Sequence, residues 1–300
     1  MTAVVSGLAL YQWRRAAREK ALAVAIPPEE VDWLLQAKSA LDPLALRLES
    51  FQRQPHIELA LPLAELDRLW EQRLRDRMPV QYLAGETPWR DFQLQVSPAV
   101  LIPRPETELL VDVAIAATQE SCELACGNWA DLGTGSGAIA IALVRALPSI
   151  QMYGVDLSPA ALAVARANAD RLGVGARIKW LRGSWFEPLL ALSGGAPQLS
   201  AVVANPPYIP SAEIPNLQPE VADREPHLAL DGGPDGLDCV RELVAVAPRF
   251  LQSGGLWGVE LACGQAASVV KLLQAQGDYK HSWVVPDLAG IDRFVFAYRR

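Results

Sequence analysis

From residue 128 onward, apolar runs of strand length alternate with segments of helix length, and this alternation limits the fold more than any other feature. Candidate strands are 129–132, 151–156, 177–181, 200–204, 255–261, 280–285 and 292–298, with helices near 137–147, 159–172, 236–252 and 264–276. Strands separated by helices build a largely parallel sheet covered on both faces. The last strand follows its predecessor through a short connection, which suits an antiparallel neighbour. Asp131-Leu-Gly-Thr-Gly-Ser-Gly137 lies between the first strand and its helix. Gly133, Gly135 and Gly137 allow a sharp turn and the close approach of a ligand. This is the switch-point region where open α/β sheets bind ligands. The spacing Gly-x-Gly-x-Gly is one residue short of the dinucleotide fingerprint, which argues against a pyrophosphate-bearing cofactor.

Asp156 closes the second strand, Gln151-Met-Tyr-Gly-Val-Asp156. A carboxylate there can accept hydrogen bonds from both hydroxyls of an adenosine ribose. Its plainer reading is a helix cap, but Ser158-Pro159 offers a better cap at the right place. Gly183-Ser-Trp185 follows the third strand. Trp185 could stack on an adenine ring, and a core role is the rival for one of nine tryptophans.

Asn205-Pro-Pro-Tyr208 ends the apolar run Leu199–Ala204. This tetrapeptide suits the alkylation of a planar nitrogen. An amide nitrogen is a poor nucleophile because its lone pair is delocalised into the carbonyl. A site helps by accepting hydrogen bonds from both N–H groups and leaving the lone pair facing an electrophile. The Asn205 side-chain oxygen and the Pro206 carbonyl are the two candidate acceptors. Pro206 and Pro207 fix the backbone and bring no N–H donors. Tyr208 supplies a flat apolar wall. The plainer reading is an ordinary strand-ending turn.

Residues 1–80 read as a helical domain. Val31, Leu34, Leu35 and Lys38 share one helical face, as do Leu63, Leu66, Leu69, Trp70 and Leu74. Pro62 fits a first-turn position. Residues 81–103 read as a β-hairpin linker, with Phe92–Val96 alternating strictly and Val100–Pro103 following Ser97-Pro-Ala99. The domain from 104 to 300 begins with a helix over 104–118. Arg104 and Glu106 at the junction could gate or line the cleft, and a salt-bridged hinge is the plainer reading.

Hydrophobic content of 51% with 20% charged residues fills a sizeable core. A net charge of −7 disfavours a nucleic-acid partner and suits a protein at least as well. No run approaches the ~18 apolar residues of a membrane span. Ala3–Leu10 is followed, not preceded, by basic residues, so it reads as a first helix and not as a signal peptide. Cys122 and Cys126 have no second pair and no nearby His, so no metal is expected. Reduced thiols in a cytoplasmic protein are the simpler account.

Together, Asp131–Gly137, Asp156 and Asn205–Tyr208 resemble a class I S-adenosylmethionine-dependent amino-methyltransferase. Gln81–Gly85, Phe92, Ser97–Glu108, Arg224-Glu-Pro226, Ala229-Leu230 and Gly290-Ile-Asp-Arg-Phe294 narrow the resemblance to the bacterial release factor N5-glutamine methyltransferases. Asp292 stands where that family more often has Glu. The resemblance implies a mostly parallel seven-stranded sheet, its last strand antiparallel, with a small N-terminal helical domain; a substrate-docking role for that domain is read from its position alone, and a packed helical bundle is the plainer reading. It implies methylation of the glutamine in the Gly-Gly-Gln motif of class 1 peptide chain release factors. S-adenosyl-L-methionine would contact Gly133, Thr134, Gly135, Ser136, Gly137, Asp156, Trp185 and Asn205. Glutamine would meet Asn205, Pro206, Pro207 and Tyr208. A monomer is expected, with no stable nucleic-acid binding. The alternatives are a nucleic-acid adenine or cytosine N-methyltransferase, which would act on a flipped base, a non-catalytic adaptor, and, more distantly, a nicotinamide dehydrogenase.

Overall fold

The computed structural model describes residues 3–119 and 121–300; Met1 and Thr2, which open the 1–80 segment, and Glu120 lie outside the described residues. In chain order the first elements are β1 (Ala3–Val5), α1 (Gly7–Ala23), α2 (Glu30–Lys38), α3 (Pro43–Arg47), β2 (Ile57–Leu59), α4 (Leu63–Asp76), α5 (Val80–Ala84), β3 (Glu86–Trp89) and β4 (Phe92–Gln95). Then come α6 (Thr107–Thr118), α7 (Cys122–Ala125), β5 (Gly127–Leu132), α8 (Ala138–Ala146), β6 (Ile150–Asp156), α9 (Pro159–Arg171), β7 (Ile178–Arg182) and α10 (Glu187–Leu190). The chain ends with β8 (Leu199–Ala204), α11 (Pro219–Ala222), α12 (Asp238–Val246), β9 (Leu251–Glu260), α13 (Ala266–Gln276), β10 (Tyr279–Pro286) and β11 (Asp292–Arg299). Two compact units result: one runs to Thr87 and adds Gln218–Arg224, and the other holds Pro88–Leu217 and Glu225–Arg300.

The first unit is mainly helical. Val31, Leu34, Leu35, Leu66 and Trp70 are buried in its core, and the Trp70 indole donates to the Ala17 carbonyl at 3.1 Å. Lys38 is only half-buried, and its ammonium donates to the Ala84 carbonyl. Pro62 stands one step outside α4, as its N-cap. Ala3–Val5 does not join the first helix. It pairs antiparallel with Ile57–Leu59, and Ser6 starts α1 by accepting from the Ala9 amide. Strands this short carry too little alternation to be told from a helical face.

Charge ties the later segment to this unit. Arg73, 3% exposed, donates to Glu30 at 2.5 Å and to Glu220 in α11 at 2.7 Å. Arg77 also pairs with Glu220, and Arg224 donates to the Asp76 carbonyl.

The second unit carries a seven-stranded sheet in the order β10-β11-β9-β8-β5-β6-β7. Strands β5 to β9 pair in parallel, and β11 lies antiparallel between β9 and β10. Side chains alternate between two cores. In β5, Trp129 enters one face while Ala130 and Leu132 enter the other; in β8, Ala201 and Val203 oppose Val202 and Ala204. Register aligns the strand ends, with Leu132 beside Val155 and Ala204, and Ala204 beside Val259. Gly133, Asp156, Asn205 and Glu260 therefore emerge together at one carboxyl edge.

Two expectations shift. The two-stranded sheet is made by β3 and β4, while residues 80–84 are helical and Val100–Pro103 runs without strand pairing. Prolines 98, 103 and 105 remove the amides a ladder would need. The helix expected over 236–252 ends at Val246 because Pro248 breaks it, and β9 begins at Leu251. Among the described residues, no helix is long and apolar enough to cross a membrane.

Replacing Arg73 leaves Glu30 without this guanidinium and Glu220 with Arg77 alone. Arg73→Ala is expected to cost about 1.5–3 kcal/mol of stability, read by urea denaturation.

Candidate active site

A cavity of about 550 Å³ opens at the carboxyl edge of the parallel strands, wholly within the second unit. Gly133, Thr134, Gly135 and Ser136 line it from the turn after β5, and Asp156 from the end of β6. Trp185 enters after β7, Asn205 and Pro207 after β8, and Thr107 from the start of α6. Gly137, Pro206 and Tyr208 do not line it.

The glycine turn is built for close approach. The Gly133 and Thr134 amides both donate to the Val155 carbonyl at 2.9 Å. Gly133 and Gly135 have φ of 77° and 54°, where other residues are strained. A Cβ on Gly133 would sit 3.4 Å from the Trp185 ring, so indole and turn form adjoining walls. Trp185 itself has φ 44°, a left-handed conformation that costs a side-chain-bearing residue about 1–2 kcal/mol. Gly137 stands one layer back. It caps α8, and a Cβ there would press Ala165, Ile141 and Trp180 at 3.2 Å.

Asp156 uses one oxygen to accept the Gly135 amide at 2.9 Å and the other to accept Ser158 at 2.8 Å. Each oxygen keeps a further lone-pair site. Burial raises its pKa. Ser158 caps α9 through the Ala161 amide, which frees Asp156 from that task.

The tetrapeptide joins a buried polar chain. Asn205 Nδ2 donates to Thr107 Oγ1 at 3.1 Å, and Thr107 Oγ1 donates to Glu260 Oε2 at 2.6 Å. Tyr208 directs its hydroxyl to Glu260 Oε1 at 3.3 Å. Burial raises the pKa of both Glu260 and Tyr208. Asn205 Oδ1 is buried with no hydrogen-bond partner. Pro206 is buried. The segment is braced from behind: Gln265 donates to the Tyr208 carbonyl at 3.0 Å, and Gly232 packs so closely that a Cβ would lie 2.8 Å from the Pro207 carbonyl.

Arg104 is not paired with Glu106. It donates to both oxygens of buried Glu225, at 2.7 and 2.8 Å, on the rim of the cavity. Thr107 and Glu260 are the site residues that sequence reasoning missed. They are 153 positions apart. The available signal was an acid closing an apolar strand at Glu260, as Asp156 does.

Residues 130–222 match a family model described as a methyltransferase domain. The release factor glutamine methyltransferase of Synechocystis sp. is 46% identical over 299 residues, covering 98% of this chain and 97% of that protein. The chain belongs to the release factor glutamine methyltransferase family. The family's Gloeobacter violaceus member is 47% identical, with 95% and 96% covered. Among solved structures, the hMettl16 catalytic domain aligns with a TM-score of 0.54 at 14% identity, covering 88% of each chain. That likeness shows a shared fold.

Asp131 underlies the glycine turn of this family member. Fully buried, it accepts from Thr134 Oγ1 at 2.5 Å and the Ala140 amide at 3.1 Å, while its other oxygen has no partner. Burial raises its pKa from the ordinary 3.8 to about 7. A carboxyl that holds its proton more tightly folded than unfolded stabilises the fold at low pH and loses that contribution as pH rises through its folded pKa. Asp131→Asn keeps an acceptor and does not titrate. Its stability relative to the unsubstituted chain is expected to rise between pH 4 and 7 and level off above, as followed by urea denaturation across that range. A difference flat with pH would contradict the shift.

Proposed function

We propose that this chain transfers a methyl group from S-adenosyl-L-methionine to the N5 amide nitrogen of the glutamine in the Gly-Gly-Gln motif of class 1 release factors, releasing S-adenosyl-L-homocysteine. One observation carries the reading: a buried acceptor, Asn205 Oδ1, without a partner of its own beside a glycine-turned cavity. A buried acceptor left open is costly unless a ligand satisfies it. A carboxamide N–H is such a ligand.

The residues present fit the cofactor. Gly133 to Ser136 give a backbone cradle, Asp156 has lone pairs for ribose hydroxyls, and Trp185 offers a face for adenine. Gly137 sets the turn from behind. The cofactor supplies a methyl group already activated on a sulfonium. Asn205 Oδ1 and the Pro206 carbonyl accept the two amide protons and keep the nitrogen lone pair facing that carbon. They also stabilise the positive charge that grows on nitrogen. Pro207 and Tyr208 stiffen the corner and limit sideways movement. Such orientation can supply on the order of 7–11 kcal/mol of the barrier. An N-protonated amide is acidic enough to release its proton to water or a carbonyl oxygen after transfer, without a strong base.

The release factor is taken as the protein partner, docked by the N-terminal helical domain, which we place at residues 1–80, with 81–103 as linker and 104–300 as the catalytic domain. A monomer working in the cytoplasm, without stable nucleic-acid binding, completes the reading. The net charge of −7 favours a protein partner over a phosphate backbone.

The test supplies labelled S-adenosyl-L-methionine with a release factor and with its Gly-Gly-Gln glutamine replaced by alanine. Label on the first alone is expected; equal label on both refutes the target. Asn205→Ala is expected to lower kcat by roughly 10²–10³-fold while cofactor affinity stays within about threefold. Parallel losses in both would remove the division of roles between Asn205 and the cradle.

A further inference from the structure

We propose that Glu260 and Thr107 are positioning residues that fix which end of the Asn205 amide faces the substrate, and so restrict that position to groups that donate a hydrogen bond. The inference rests on the proposed amide methylation and adds what makes the acceptor an acceptor.

An asparagine can present either oxygen or NH2, since the two ends have nearly the same shape. Its partner decides between them. A threonine hydroxyl has one proton to give. At 2.6 Å that proton lies in the bond with Glu260 Oε2, which accepts it. Thr107 Oγ1 is then left as an acceptor toward Asn205. Only the NH2 end satisfies it, at 3.1 Å; a flipped amide would set oxygen against oxygen. Oδ1 is thereby left without a partner in the protein, to be met by a donor that enters from the adjoining cavity. Tyr208 bonds the other Glu260 oxygen, so the carboxylate is held at both ends. Burial pushes the Glu260 pKa up and Glu106 ahead of α6 adds to that, while the Thr107 and Tyr208 hydrogen bonds and Arg293 on β11 pull it back.

In Glu260→Gln, the new amide can donate to Thr107. The threonine proton is then free to point at Asn205, whose amide turns over and offers NH2 to an NH2. Thr107→Val removes the relay without changing side-chain volume much. Thr107→Ser keeps the hydroxyl.

The test has two readings on the full-length chain. With 15N-labelled asparagine, the Asn205 side-chain NH2, assigned by its loss in Asn205→Asp, is expected to exchange slowly in the unsubstituted chain and in Thr107→Ser, and rapidly in Thr107→Val. Steady-state transfer to a release factor is expected to fall about 10²-fold in kcat for Glu260→Gln and Thr107→Val. Release-factor KM and S-adenosyl-L-methionine affinity should stay within about threefold, and Thr107→Ser should recover most of the rate. Unchanged amide exchange in Thr107→Val, undiminished kcat in both disabling variants, or Thr107→Ser as impaired as Thr107→Val would each overturn the relay. If Glu260→Gln does not fold, the threonine pair decides alone. If the unsubstituted chain leaves the release-factor glutamine unlabelled while the exchange pattern holds, the functional reading falls and the relay stands.

Discussion

In a parallel ladder every strand must leave the sheet at the same end, and the whole site depends on that constraint. β5, β6, β7, β8 and β9 all run in one direction. Each must exit where its carbonyls and amides lose their ladder partners. Because the order places β5 between β6 and β8, the chain turns off in opposite directions there and leaves a crevice. Groups as distant in sequence as Asp131 and Glu260 arrive at one edge for no reason other than strand direction and register.

At that edge most buried polar groups are bonded, and two acceptors stay open: Asn205 Oδ1 beside the cavity and Asp131 Oδ1 beneath the glycine turn. Asp156, Glu225 and Glu260 are each bonded through both oxygens. Asn205 Oδ1 is not, and it lies among groups that are. The backbone behaves likewise. Trp185 accepts a left-handed conformation so that its ring can wall the glycine turn. Open valence and local strain sit together, as expected where a fold gives up stability for chemistry.

Much of this was legible from the residues. The seven strands fall within a few residues of their expected spans because period-two and period-3.6 patterns separate cleanly over longer runs. Ser158 was readable as the cap of α9 because that role depends on neighbours in sequence. Four things were not. β1 and β2 are too short to show a period. The strand suggested at Val100–Pro103 ignored three nearby prolines. The Asn205–Thr107–Glu260 chain has no local signature, since each link spans long sequence separations that only the sheet closes. The partners of Arg104 were hidden in the same way. Its nearest acid in sequence is Glu106, yet folding supplies Glu225.

The stretch Gln218–Arg224 belongs by covalent order to the loop beyond β8 and by its ion pairs to the helical unit. The helical unit is therefore not a detachable cassette at the front of the gene. An enzyme cut to begin at Pro88 would keep Glu220 and lose both guanidiniums that neutralise it. Exchange of this module between relatives would succeed only if two separate pieces of coding sequence travelled together, one of them embedded just downstream of Asn205–Tyr208.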